Sequence, residues 1–205
     1  YTMREVHGDP LDAVLSANRT PLPDLLRIFE KICDAVAFAH DQGVLHRDLK
    51  PSNVMVGEFG QVFVLDWGLV KVGDTAEGTE SSIELPGATD KTIGALGTPA
   101  YMSPEQVLAE PADPRTDVWG AGVLFYELIT DKEAFPMEKA PPGPRRDALV
   151  QQVFHAILRL DPKPATELDA SLPPEVDPIV KRALAKLPAD RYQSMNEFAD
   201  ALGCF

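Results

Sequence analysis

Apolar residues along the chain fall into blocks with two different periods. Leu25, Leu26, Phe29, Ile32, Cys33, Val36 and Ala37 recur at helical spacing, which predicts a helix over 23–42 that Gly43 ends. Two short β-type runs follow, at 54–56 and 62–65, with Gly57 and Gly60 between them, as in a hairpin. Residues 72–96 lose periodicity. They are polar and rich in Gly, Ser and Thr, and predict a long loop of the kind that carries function. Residues 117–130 are apolar nearly all round, as a buried central helix is. A proline-rich surface segment at 136–144 precedes three further predicted helices over 147–160, 174–186 and 194–202. No internal repeat is visible, and the pattern is mainly helical with little strand.

Composition narrows the function classes. With 205 residues, 44% hydrophobic and 25% charged, the chain can bury one sizeable core. Its 32 acidic residues against 19 basic ones give a net charge of −13, a surface that repels phosphate backbones. Nucleic acid is therefore not an expected partner, and membrane-surface binding gains no support. Cys33 and Cys204 have no metal-ligand spacing and make no disulfide framework, so a reducing, cytoplasmic setting is expected. No apolar run is long enough to span a bilayer. The chain opens on Tyr1, and its first residues read as the interior of something longer. It is therefore read as a fragment, with any membrane anchor outside it. Nothing in the pattern assigns an oligomeric state. His7, His40 and His155 stand without ligand partners at metal spacing and read as surface or capping residues.

The segment His46-Arg47-Asp48-Leu49-Lys50-Pro51-Ser52-Asn53 resembles the protein-kinase catalytic loop His-Arg-Asp-Leu-x-x-x-Asn at every specified position. Alone, His-Arg-Asp would also suit a buried, salt-bridged turn; the number of fixed positions in so short a segment decides against that. The resemblance implies that Asp48 accepts the proton of a substrate hydroxyl during phosphoryl transfer. It implies that Asn53 holds a metal ion and that Lys50 helps neutralise the γ-phosphate, as in the serine/threonine class. Asp66-Trp67-Gly68 resembles the family's Asp-Phe-Gly, which makes Asp66 the chelator of Mg²⁺. Trp67 departs from the pattern but keeps an aromatic ring at the metal site, and His46 is expected to pack beneath this turn.

Gly97-Thr98-Pro99-Ala100-Tyr101-Met102-Ser103-Pro104-Glu105-Gln106 resembles the end of a kinase activation segment, with Ser-Pro-Glu for Ala-Pro-Glu. The likeness implies that Thr98 bonds the catalytic aspartate and the following lysine. It also implies that Glu105 pairs with Arg191, a structural ion pair. Asp117-Val118-Trp119-Gly120-Ala121-Gly122 resembles the start of the family's central helix. Asp117 would then accept hydrogen bonds from the backbone at His46 and Arg47; an ordinary N-cap aspartate would read the same way. The blocks are most similar to those of bacterial eukaryotic-like serine/threonine kinases.

Tyr1-Thr2-Met3-Arg4-Glu5-Val6-His7-Gly8 resembles the kinase hinge. That likeness implies Met3 as gatekeeper, the backbone of Arg4 and Val6 on the adenine edge, Met55 beneath the ring and Leu11 further down. These apolar residues equally suit plain core. Asp9 and Asp12 suit ribose hydroxyls or simple solvation, and Glu127 suits a basic substrate side chain. No Gly-x-Gly-x-x-Gly loop, strand lysine or partner helix glutamate is found. The expected architecture is therefore a protein kinase-like fold reduced to its C-terminal lobe, mainly α-helical with a small β-hairpin at the catalytic cleft (α+β in a full kinase). Residues 1–8 are expected as a hinge remnant and 9–205 as the lobe, with the catalytic loop at 46–53 and the activation segment at 66–105. The implied activity is transfer of the ATP γ-phosphate to serine or threonine of protein substrates, with ATP and Mg²⁺ as cofactors and the isolated chain itself inactive. Arg47 implies regulation by a phosphorylated loop residue, Thr92 first and Thr89 second. A pseudokinase scaffold is the alternative, and retention of Asp48, Lys50, Asn53 and Asp66 argues against it.

Overall fold

The computed structural model of the chain describes residues 6–16, 20–67, 99–138, 141 and 143–203. Strand β1 (Asp9–Pro10) and helix α1 (Leu11–Ser16) come first, then α2 (Leu22–Asp41), β2 (Val54–Val56) and β3 (Val62–Val64). The remaining helices are α3 (Pro104–Val107), α4 (Pro114–Thr130), α5 (Pro144–Arg159), α6 (Ala165–Leu168), α7 (Val176–Ala183) and α8 (Met195–Leu202). Short 3₁₀ turns occupy Pro51–Asn53, Pro99–Tyr101 and Pro188–Asp190.

Helix starts follow local chemistry more than apolar periodicity. Pro104, Pro114 and Pro144 each open a helix, at positions where a missing N–H costs no hydrogen bond. Asp113 caps α4 by accepting the Arg115 N–H at 2.8 Å, and the Asp113 N–H in turn donates to Thr116 Oγ1 at 3.3 Å. The central helix thus begins ahead of the predicted 117, and Asp117 lies within its first turn, not at its cap. The helix predicted over 147–160 likewise starts earlier, at Pro144, inside the proline-rich segment. The one predicted over 174–186 is shorter, Val176–Ala183. The last begins at Met195, with Ser194 as its cap. The first long helix is shifted by one residue from 23–42, and β3 ends at Val64, not at 65.

The predicted hairpin is present but gains a strand. The sheet is antiparallel in the order β1-β2-β3, with Pro10 opposite Met55 and Met55 opposite Phe63. So short a strand as β1 leaves no alternating pattern to read in the sequence.

The core is built on α4. Residues from Thr116 to Thr130, all but Glu127, are buried, so this helix has no face for solvent. Helix α2 packs on α4 and α8, and α7 packs on α4. Close approach of α7 requires Gly122: a Cβ there would sit 2.9 Å from that of Ala183. From α2, Phe29 meets Phe125 of α4 at 4.9 Å between ring centroids and Phe198 of α8 edge-on at 5.3 Å. Tyr192 stacks on Phe198 at 4.9 Å. Each such side chain taken from water is worth about 1.5–3 kcal/mol. Cys33 is free and lies in this core, and burial pushes its thiol pKa far up.

One ion pair crosses the base of the core. Arg191 Nη1 and Nη2 donate to Glu105 Oε1 and Oε2, each at 2.8 Å, and both residues are almost wholly buried. Thr116 Oγ1 adds a bond to Glu105 Oε1 at 2.8 Å. Burial alone would raise the Glu105 pKa, but the Arg191 hydrogen bonds and charge outweigh it and hold the carboxyl below the usual carboxylate range. Trp119 lies under the same guanidinium, 5.1 Å from its carbon, and stacks on Phe135. Among the described residues, no helix is long and apolar enough to cross a membrane.

Removing one partner of this pair strands a buried charge. Arg191→Met is expected to destabilise the protein by about 3–5 kcal/mol, and the double change Glu105→Gln with Arg191→Met to restore much of that. Urea midpoints of the three proteins check this. Because Glu105 has a depressed pKa when folded, its contribution is present above the unfolded carboxylate value and fades as pH falls through the folded one. The gap between wild type and Arg191→Met should therefore narrow on acidification.

Candidate active site

Helix α2 ends where Gly43 takes a left-handed φ of 73°, a conformation that costs glycine little, and the chain turns back toward α4. Leu45 is fully buried and pins the turn. The next two peptide N–H groups meet one side chain. His46 N–H donates to Asp117 Oδ2 at 2.8 Å, and Arg47 N–H donates to Asp117 Oδ1 at 2.7 Å. Asp117 is 1% exposed. The predicted backbone bonds to His46 and Arg47 are thus present, although the carboxylate comes from inside the helix.

Sequence reading missed a third donor to Asp117. His40 is neither a surface nor a capping residue: its Nε2 lies 2.8 Å from Asp117 Oδ2, and its side chain is 9% exposed. A carboxylate offers only acceptors, so Nε2 carries the proton. No spacing rule links positions 40 and 117. Only the packing of α2 on α4 brings them together.

The catalytic-loop residues converge behind this anchor. Asp48 N–H donates to His46 Nδ1 at 3.2 Å, which leaves His46 Nε2 as the donor to the Leu65 carbonyl at 2.9 Å. Lys50 Nζ donates to Asp48 Oδ2 at 2.6 Å. Asn53 Nδ2 donates to the Asp48 carbonyl at 2.8 Å and to Asp48 Oδ2 at 3.2 Å. With its nitrogen committed to Asp48, the amide oxygen of Asn53 is the atom left for a cation. Leu65 N–H donates to the Asn53 carbonyl at 2.7 Å, which joins the loop to the segment that leads into Asp66. Asp66 is exposed and has a left-handed φ of 56°. Trp67 lies over His46 at 4.9 Å between ring centroids, as expected, and its Nε1–H donates to the Val64 carbonyl at 2.9 Å. That bond is one phenylalanine could not make.

Other expected residues fall as follows. Val6 is half-buried and lines an open groove of about 730 Å³ beside the sheet, with Gly8, Val56 and Phe63. Met55 is half-buried on β2, whereas Leu11 is fully buried in the core. Glu127 accepts a hydrogen bond from the Tyr101 hydroxyl. Burial, and then Glu133, Asp131 and Asp12, push its carboxyl above the usual range against that bond. Met3, Arg4, Gly68, Thr89, Thr92 and Thr98 lie outside the described residues. Sequence reading also gave Gln106 no task, yet its Nε2 donates to the Arg47 carbonyl at 2.7 Å.

Hard oxygen donors from an amide and a carboxylate on adjoining segments suit Mg²⁺, which takes few protein ligands and completes its shell with phosphate and water. Among the described residues, no cluster of three or more His, Cys, Asp or Glu side chains offers a rival metal site.

Comparison with known proteins agrees with this chemistry. The family described as protein kinase domain matches residues 2–201. A serine/threonine-protein kinase PknD of Protochlamydia amoebophila is 40% identical over 156 residues, covering 66% of this chain and 16% of that protein. A probable serine/threonine-protein kinase PknB of Corynebacterium glutamicum is 35% identical over 207 residues, 98% of this chain and 29% of that one. PknD of Chlamydia caviae is 34% identical over 214 residues, 96% of this chain and 22% of that one. The chain therefore spans less than a third of the length of each of these relatives. Because the match runs almost from end to end of the chain and takes in the loop that Asp117 holds, the chain belongs to the protein kinase domain family.

Proposed function

We propose that the chain is a catalytic part of a serine/threonine protein kinase, which transfers the γ-phosphate of ATP to hydroxyl groups of protein substrates. The observation that carries this reading is Asp48. Its carboxylate is 39% exposed, yet Lys50 and Asn53 fix it from one side and the buried loop from the other. In the transfer, the substrate oxygen bonds to the γ-phosphorus, the bond from that phosphorus to the β–γ bridging oxygen breaks, and ADP leaves. Asp48 takes the hydroxyl proton. Lys50, beside it, offsets charge on the transferring group, and Thr98 joins them from the activation segment. Asn53 and Asp66 hold Mg²⁺, which neutralises phosphate charge when bound.

In the same reading, residues 9–205 form the C-terminal lobe and 1–8 the hinge, with Met3, Arg4, Val6 and Met55 around the adenine; Leu11, expected there too, is wholly buried in the core and not open to a ligand. The mainly helical arrangement supports the lobe assignment. The glycine-rich loop and phosphate-binding lysine are not among the 205 residues, so the chain alone is expected to transfer phosphate poorly. The activation segment is 66–105, and the setting is cytoplasmic. Arg47 supports control by phosphorylation. Its Nε is buried and has no hydrogen-bond partner among the described residues, a donor that a phosphate on Thr92 or Thr89 would satisfy.

Radiolabelled-ATP transfer to a generic basic protein tests the activity, using the full-length protein. Asp48→Asn should lower the rate by about 10²–10⁴-fold, the usual contribution of a general base. No transfer by the unaltered full-length protein, with Mg²⁺ or Mn²⁺, would favour a pseudokinase instead. For control, phosphopeptide mapping of the active protein should find phosphate on Thr92 or Thr89. Replacing both by alanine should slow transfer about tenfold, the effect of one lost charge-assisted hydrogen bond. An active protein unmodified at both positions would refute the regulatory reading.

A further inference from the structure

Gln106 makes a bond whose position matters more than its strength. Its Oε1 accepts the Ser103 N–H at 2.9 Å, and its own N–H bonds Ser103 Oγ at 3.3 Å, a capping box that starts α3. That box uses one end of the side-chain amide. The other end, Nε2, donates to the Arg47 carbonyl at 2.7 Å.

We propose that Gln106 is a positioning residue for Asp48, acting through the peptide that joins Arg47 to Asp48; this rests on the kinase reading of Asp48. A peptide unit is planar and turns as one body about its two flanking Cα atoms. The direction of the Asp48 side chain therefore follows the tilt of this plane. His46 Nδ1 receives the Asp48 N–H at one edge of the plane, by a bond of 3.2 Å. Gln106 holds the carbonyl at the opposite edge by a shorter one. On the preceding peptide, Asp117 takes the Arg47 N–H. Arg47 itself has a left-handed φ of 66°, which an arginine adopts only where its surroundings enforce it. Its two backbone polar groups are thus held from two different helices, the N–H by α4 and the carbonyl by α3.

The position of α3 adds to this. Glu105, beside Gln106, is bound to Arg191 in the base of the core, so α3 is a fixed point. The same short helix closes the segment read as the activation segment. Gln106 thereby ties the end of that segment to the backbone of the proton acceptor. A displacement of about 1 Å at a reacting group can cost on the order of 100-fold in rate.

Three variants of the full-length protein separate positioning from simple stability. Gln106→Glu keeps the Oε1 acceptor, and with it the cap, but loses the donor to Arg47. Gln106→Met loses both. Ser103→Ala breaks the cap and leaves the amide bond to Arg47. Both Gln106 variants should lower kcat by about 10- to 100-fold, with KM for ATP and peptide within about twofold, and should speed amide exchange at Arg47 and Asp48. Ser103→Ala should lower the thermal midpoint with kcat within about twofold. An equal kcat loss in Ser103→Ala, or unchanged kcat in Gln106→Glu, would overturn the proposal. If the unaltered protein transfers no phosphate, the kinase reading falls by itself and exchange decides the brace: unchanged exchange in Gln106→Glu overturns it, and faster exchange at Arg47 and Asp48 upholds it.

Discussion

The carboxylate of Asp117 imposes the shape of the catalytic loop on a backbone that would not choose it. Arg47 in the left-handed region costs on the order of 1–3 kcal/mol. A hydrogen bond to a charged acceptor returns about 1.5–3 kcal/mol, and Asp117 accepts two from the loop backbone, at His46 and Arg47. The balance favours the strained loop only while that acceptor is present. The carboxylate is well placed for the task. It sits in the first turn of α4, where the helix dipole favours negative charge, and it is buried, so water does not compete for its donors. His40 supplies a third donor and fixes its remaining freedom. Asp48, Lys50 and Asn53 are placed by the loop that follows.

The second buried carboxylate works differently. A buried ion pair is weak support for stability, since desolvation can exceed the Coulomb gain. Here the geometry removes the objection. The five N–H donors of Arg191 meet five acceptors: two Glu105 oxygens and the carbonyls of Ala185, Arg115 and Lys186. No part of the fork is left unsatisfied. Such a site specifies one arrangement of α3 against α4 and the turn after α7. Arg47 contrasts with it, since its guanidinium keeps a buried Nε without a partner among the described residues. One arginine is used up by structure; the other keeps that donor unmet among the described residues.

The catalytic loop and the Asp66 turn were legible from residue types at short spacing and the buried helix from a long apolar run, whereas the Glu105–Arg191 pair, 86 positions apart, was legible only through the resemblance of its motifs. Other features were not legible, for identifiable reasons. The start of α4 at Pro114 is set by a cap and a proline, while the apolar pattern begins later. Strand β1 is too short for a period. His40 and Gln106 act through partners 77 and 59 positions away, and nothing near either residue announces the bond. Leu11 and Met55 carry the same apolar signature, yet one is wholly buried and the other is not; composition cannot separate them. Trp67 in place of phenylalanine looked like a tolerated exchange, but its indole N–H adds a bond to Val64.

Burial within the site divides support from chemistry. His46, Asn53 and Asp117 are buried, whereas Asp48 is 39% exposed and Asp66 is exposed. His46 and Asp117, which only hold position, are kept from water; Asp48 and Asp66 are open to it, and Asn53, buried and tied to Asp48 through its nitrogen, combines support with the cation role proposed for its oxygen. The Lys50–Asp48 contact belongs to the open part. Its short 2.6 Å separation suggests a strong bond, but a pair with one partner this exposed contributes at most about 1 kcal/mol. Breaking this contact therefore costs little, which suits the role proposed for Lys50 toward a transferring phosphate. Asp48 does not depend on that contact for its place, because Asn53 holds its carbonyl and His46 its N–H. The loop thus combines a rigid backbone with an exchangeable charge pair, as the proposed role of Asp48 as proton acceptor beside a moving phosphoryl group requires.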